Sequence, residues 1–119
     1  MDMVVRQAEE QFEAWVESRY AGRTQFIDDG GRRIFFHTEV APEFGGQGVA
    51  QRLVGGALAQ TWAAGLRVVP VCPFVRGYLT RHPELDGTVE AVTRETWHLV
   101  RDLLPPEERA AGMPVVEPT

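Results

Sequence analysis

Three groups of residues in this sequence have types and spacings suited to chemistry. The first is the glycine cluster Gly45-Gly46-Gln47-Gly48, followed by apolar residues at helical spacing. A glycine-rich turn opening a helix can hold an anion. The helix start offers unpaired N–H groups and a partial positive charge, and glycine lets the backbone approach closely. The cluster is not a P-loop, because no Lys follows its last glycine. Nor is it the dinucleotide fingerprint, which opens after a first strand, whereas here a β-meander comes first. By itself it reads first as a tight turn between strand and helix. The second group is Cys72, just before Pro73. A helix starting at Pro73 would lower the thiol pKa and raise its nucleophilicity; equally, Cys72 suits a small buried hydrophobe at a strand end. The third is His37 with Glu39, two apart on one strand and so roughly 7 Å apart on the same face. They could share a water and supply a base, or His37 could make a structural hydrogen bond.

The elements that must position these groups can be read in order. Gln11 to Glu17 alternates as a strand, with Phe12, Ala14 and Val16 on one side and Trp15 on the other. Tyr20 to Asp28 is a second strand, and Asp29-Gly30-Gly31 is a tight turn. Arg33 to Val40 is a third, with Ile34, Phe36, Thr38 and Val40 facing one way and Phe35, His37 and Glu39 the other. The apolar spacing of Val49, Leu53, Val54, Ala57, Leu58 and Trp62 predicts a helix from Gly48 to Ala64, stopped by Gly65. Gly55 and Gly56 inside it cost about 1 kcal/mol each against Ala, which points to close packing there. Leu66 to Cys72 is a short strand with Pro70 unable to donate. Pro73 to Arg81 is a helix, with His82 as its structural cap first and a cofactor contact second. Thr88 to Leu104 reads as one more helix, its stripe formed by Val89, Val92, Thr96, Leu99 and Leu103. Glu107 to Thr119 reads as a loose tail rich in Pro, Glu and Ala.

The 119 residues suit one domain. A formal net charge of -5 argues against a nucleic-acid or anionic-membrane partner. All 12 basic residues are Arg, so chemistry that needs a lysine is excluded. One cysteine rules out an intramolecular disulfide and a cysteine-rich zinc site, and the three histidines lack metal-ligand spacing. Met1 to Glu10 is polar and acidic and does not read as a signal peptide. No apolar run approaches a membrane span. A cytoplasmic protein is expected.

The string Val40-Ala41-Pro42-Glu43-Phe44-Gly45-Gly46-Gln47-Gly48-Val49-Ala50 resembles the acetyl-CoA loop of the GCN5-related N-acetyltransferases, Q/R-x-x-G-x-G/A. Gly48 and Ala50 fill the small-residue positions, and Gly45 stands where the family has Gln or Arg. His37-Thr38-Glu39-Val40, Val69-Pro70-Val71-Cys72-Pro73-Phe74 and Tyr78-Leu79-Thr80-Arg81-His82-Pro83-Glu84 extend the likeness to the small single-domain branch of that superfamily. The resemblance covers Gln11 to Leu85.

The resemblance implies an α/β (α+β) fold: a mixed, mainly antiparallel sheet with a meander, a glycine-loop helix, a splayed strand and further helices. It implies a minimal acetyltransferase-like domain over 1–86; the helical extension over 87–104 and the tail over 105–119 lie outside it. It also implies acetyl-CoA as cofactor and an amine acceptor, whether peptide, protein or small molecule. The pyrophosphate would lie on the loop Gly45, Gly46, Gln47, Gly48, Val49 and Ala50, the pantetheine arm along the backbone at Val40, and Phe74 would join the cofactor site. Tyr78 falls where the family often has a tyrosine near the CoA sulfur and would be the acid, unless it is an ordinary half-buried helix tyrosine. Cys72 would be a nucleophile on a covalent route, His37 the base, and Glu39 the lesser candidate for it. Two other classes stay open: a CoA-binding module without turnover, and an interaction domain that dimerises through Thr88 to Leu104 and binds no CoA.

Overall fold

The computed structural model describes residues 1–114. Five strands form one sheet: β1 (Met3–Gln7), β2 (Gln11–Val16), β3 (Arg19–Asp29), β4 (Arg32–Val40) and β5 (Arg67–Pro70). They lie in the order β1-β2-β3-β4-β5, with the first four antiparallel and β5 parallel to β4. The helices are α1 (Val49–Ala63), α2 (Pro73–Arg81), α3 (Arg94–Val100) and α4 (Pro106–Ala111). Short 3-10 turns span Pro42–Phe44 and Arg101–Leu103. The mixed, mainly antiparallel α+β fold expected from the sequence is the one found. The β3–β4 hairpin closes through Gly30 and Gly31, both left-handed (φ 58° and 81°), which is why two glycines stand there.

Helix α1 covers one face of the sheet. Phe12, Phe35, Leu53, Leu58 and Val68 are fully or almost fully buried there, each side chain contributing about 1.5–3 kcal/mol. The two costly glycines of α1 have separate causes. A Cβ on Gly56 would lie 3.0 Å from Val5 of β1, and one on Gly55 would lie 2.6 Å from the Tyr78 hydroxyl. The opposite face carries a second cluster, Ile34, Phe36, Val69, Val71, Val92, Trp97, Val100 and Leu104.

Four elements differ from the sequence reading. Strand β1 was not anticipated in the polar stretch Met1 to Glu10: only Met3 and Val5 turn inward, too few to show alternation. In β4, Phe26 pairs with Phe35 and Gln25 with His37, so Phe36 is an extra, bulged residue. The bulge reverses the phase of the strand. Thr38 faces α1 with Phe35, while His37 and Glu39 share the far side with Ile34 and Phe36. The predicted helix from Thr88 to Leu104 is instead an extended segment followed by a shorter helix. Val68 N–H bonds Thr88 O (3.0 Å) and Glu90 N–H bonds Val68 O (2.8 Å), which extends the sheet beyond β5. Thr93 then starts α3 with a reciprocal cap to Thr96. The buried stripe is therefore Val92, Thr96, Trp97, Val100 and Leu104; Leu99 and Leu103 are exposed. Part of the stretch read as a tail forms α4, and residues 115–119 lie outside the described residues.

Candidate active site

The glycine loop lies between β4 and α1 and is anchored by the buried Phe44. Gly46 (φ 75°) and Gly48 (φ 76°) are both left-handed, and no atom lies within 4 Å of where either Cβ would be. Glycine is thus required there for backbone conformation, and the space above the loop is open. Among the described residues, the backbone N–H groups from Gly46 through Gln51 have no acceptor, and Gly48 caps α1 without a side-chain bond. A run of free donors at a helix start is a cradle for an anion. Within the loop, the Gln47 side-chain amide donates to Glu43 O at 3.3 Å.

Beside this loop the sheet splits. β4 and β5 pair only from Arg32–Arg67 to Phe35–Pro70, whereas β4 continues to Val40 bonded to β3 alone. The split begins at the Phe36 bulge. Cys72 closes it with an N–H to Phe35 O at 2.8 Å, and the chain then turns into α2. The Cys72 thiol is 2% exposed and lies 3.3 Å from the Thr38 hydroxyl, itself 2.8 Å from that of Thr24. Arg76, one turn into α2, donates its guanidinium to Val71 O; burial lowers its pKa against the opposing charges of Cys72 and Glu108.

Phe74 and Tyr78 lie one helical turn apart on the same face of α2, against the α1 cluster. The Tyr78 ring stacks near His82 (centroids 4.2 Å), and its hydroxyl fits over Gly55. His82 caps α2, its N–H bonding Leu79 O, and its Nδ1 lies 3.0 Å from Glu84.

His37 and Glu39 are on the other side of β4 from Cys72. Glu39 accepts from Arg23 (2.5 Å), and its Oε2 is 3.6 Å from His37 Nε2. Burial works against ionisation of Glu39, but the hydrogen bond and charge of Arg23, with His37 adding to them, hold its pKa below the ordinary value. A carboxylate held in this way orients His37 rather than taking a proton. His37 Nδ1 faces Glu108 Oε2 of α4 at 3.8 Å. The structure therefore joins His37 with Glu39 and joins Cys72 with Thr38, and it does not bring the two pairs onto one face. Glu108 was missed in the sequence because it falls in the stretch read as a tail, although Pro105-Pro106-Glu107-Glu108 carries the proline and acids of a helix start. No group of three metal-ligating side chains assembles among the described residues.

An open, donor-rich helix start beside a split sheet sets the geometry of this α+β domain. A family model described as GCN5-related N-acetyl-transferase matches residues 11–88, about two thirds of the chain. The chain belongs to that family. Among curated proteins, none matches it. No helix among the described residues is long and apolar enough to cross a membrane.

Proposed function

We propose that this protein is an acetyl-CoA-dependent N-acetyltransferase acting on an amine. The observation that carries the reading is the run of free N–H groups from Gly46 to Gln51 next to the open edge of β4. A pyrophosphate suits the loop of Gly45, Gly46, Gln47, Gly48, Val49 and Ala50, and the β4 backbone at Val40 suits an extended pantetheine arm. Phe74 and Tyr78 form the wall between α1 and α2. Acetyl-CoA supplies a thioester: the amine lone pair forms the C–N bond, the C–S bond breaks, and the thiolate takes up a proton. Tyr78 is the proposed donor of that proton. The amine enters as an ammonium; His37, oriented by Glu39, takes its surplus proton, and the second N–H proton, lost as the amide forms, restores that of Tyr78.

Transfer is direct in this reading. Cys72 is 2% exposed and engaged with Thr38, which favours a packing role over attack on the thioester. Gly45, where the family has Gln or Arg, favours a second reading, a CoA-binding module without turnover. A lone free thiol suits a reducing cytoplasm.

Thermal unfolding with and without acetyl-CoA tests the assignment. Ligand at 100 times its Kd stabilises the fold by about 2.7 kcal/mol, or roughly 10 °C in Tm for a chain of this size. No shift at millimolar acetyl-CoA overturns the reading. Release of free thiol in the presence of an amine separates the enzyme from the binding module.

A further inference from the structure

The C-terminal segment lies outside residues 11–88, the part shared with the family. Its first half is firmly seated: Val92, Trp97, Val100 and Leu104 are buried on the sheet face that carries His37. Its last helix, α4, is not. None of the six residues of α4 is buried. Between α4 and the body of the protein lies a cavity of about 210 Å³, with Val71, Arg76, Trp97 and Leu104 on one side and Glu108 and Ala111 on the other. Protein interiors are close-packed, so a void of this size marks a poorly fitted contact. The Arg109 guanidinium donates to Leu104 O at 3.0 Å, which ties α4 to its own segment and not to the sheet.

What α4 does cover is the candidate base. Glu108 Oε2 faces His37 Nδ1 at 3.8 Å, both atoms are buried, and among the described residues neither has a hydrogen-bond partner. His37 Nε2 faces the Glu39 carboxylate at 3.6 Å. Arg23 keeps Glu39 ionised, so the ring proton is drawn to Nε2 and the lone pair is left on Nδ1. Glu108 stands directly in front of that lone pair, with no space for a solute between them. Arg76 attracts the charge of Glu108 but gives its own hydrogen bond to Val71 O. The closed contact is therefore held by charge and not by hydrogen bonds, and it leaves two buried acceptors facing each other, which is destabilising.

We infer that α4 is a lid over His37, closed in this structure, and that it lifts before any solute reaches Nδ1. Elements of low local stability open first. α4 has no buried residue, an underfilled seat and a contact without hydrogen bonds, whereas α3 behind it is anchored by Trp97 and Val100. The hinge falls at Pro105, where the chain leaves the buried Leu104. The lid rests on the acetyl-transfer reading for its consequence, which is control of access to the base, but not for its geometry.

The test is modification of the full chain by diethyl pyrocarbonate, which carbethoxylates accessible imidazole nitrogens, read residue by residue by mass spectrometry. His98, exposed on α3, is the internal reference. The expected result is that His37 reacts at least ten-fold more slowly than His98. Two variants open the lid in different ways. Glu108→Ala removes the contact to His37, and Ala110→Pro unwinds α4 from an exposed position while Glu108 stays in place. Each should speed modification of His37 at least five-fold, with the rate at His98 and the affinity for acetyl-CoA unchanged. A wild-type His37 as reactive as His98 overturns the lid. So does a His37 that stays protected in both variants; in a protein that binds acetyl-CoA the transferase reading then still stands. Release of His37 in both variants of a protein that ignores acetyl-CoA supports the lid and overturns the transferase.

Discussion

The two faces of the sheet are built on different principles. On the α1 face, the groups suited to a ligand are backbone N–H donors from one continuous stretch, Gly46 to Gln51. On the α3 and α4 face they are side chains from distant parts of the chain: His37 and Glu39 from β4, Arg76 from α2, and Trp97 and Glu108 from the C-terminal segment. A backbone cradle needs only glycines and a helix start, so it can be held constant while side chains vary. A pocket of side chains can be remade by changing a segment at one end of the chain. Trp97 and Glu108 lie beyond the family match, which stops at residue 88, whereas His37, Glu39 and Arg76 lie within it.

The sharpest way to break this comparison is to damage the backbone cradle alone. Gly48→Glu places a carboxylate at the donors and forces a left-handed φ of 76° on a side-chain-bearing residue. Nothing within 4 Å obstructs the new Cβ, so the fold survives with about 1–2 kcal/mol of strain. Acetyl-CoA binding should fall more than 100-fold, read as loss of the ligand-induced Tm shift. Gly48→Ala carries the strain without the charge and should lose far less. Equal losses in both would locate the effect in backbone geometry and not in anion binding.

The reverse experiment is Trp97→Ala. The side chain is 7% exposed in the second cluster, and its loss costs about 3–5 kcal/mol of stability. Measured below its lowered Tm, the variant should retain acetyl-CoA affinity within about three-fold, while KM for an amine rises ten-fold or more. Coupled losses at both sites would mean that the two faces are not independent.

The same contrast explains what could be read from the sequence. The meander, α1 and the turn into α2 were legible because each rests on local signals: alternation, the 3.6-residue spacing, Gly30-Gly31 and Pro73. The Phe36 bulge was not legible, because a single extra residue leaves the alternation of letters unchanged while it turns His37 and Glu39 to the other face. The segment after Thr88 misled for a different reason. Val89 and Val92 fit a helical stripe, but Val68 had a free sheet edge to offer, and backbone pairing there outweighs a weak helical preference. Glu108 became visible only when α4 was placed against His37, some seventy positions earlier in the chain.

Cys72, on the α1 face where the sheet splits, gives a smaller, discriminating effect. Cys72→Ala removes the contact to Thr38 but leaves the loop and the β4 edge untouched. Direct transfer predicts turnover within ten-fold of wild type, with unchanged acetyl-CoA affinity. Complete loss of turnover with binding intact would establish the covalent route, and a transient acetyl adduct at Cys72 in the wild-type protein would then be detectable by mass spectrometry.

The smallest expected effect concerns Glu39, which holds His37 on the side-chain face. Its pKa is lowered in the folded protein, so its ionised form stabilises the fold above its ordinary value of 4.5, and that contribution is lost as pH falls through the lowered value. The carboxylate is 49% exposed and its partner Arg23 is 34% exposed, so solvent screening limits the pair to about 0.2–1 kcal/mol. Glu39→Gln should therefore lower Tm by no more than a few degrees at pH 7, and the difference from wild type should shrink as the pH falls below 4.5. The effect on catalysis should be larger than the effect on stability. The amide introduced by Glu39→Gln would still hydrogen-bond to Arg23 but would no longer give His37 Nε2 a negative partner, so kcat should drop several-fold with acetyl-CoA affinity unchanged. A variant whose Tm difference does not shrink as the pH falls below 4.5 would show that Glu39 acts through packing rather than charge, and the orienting role assigned to it would then fall.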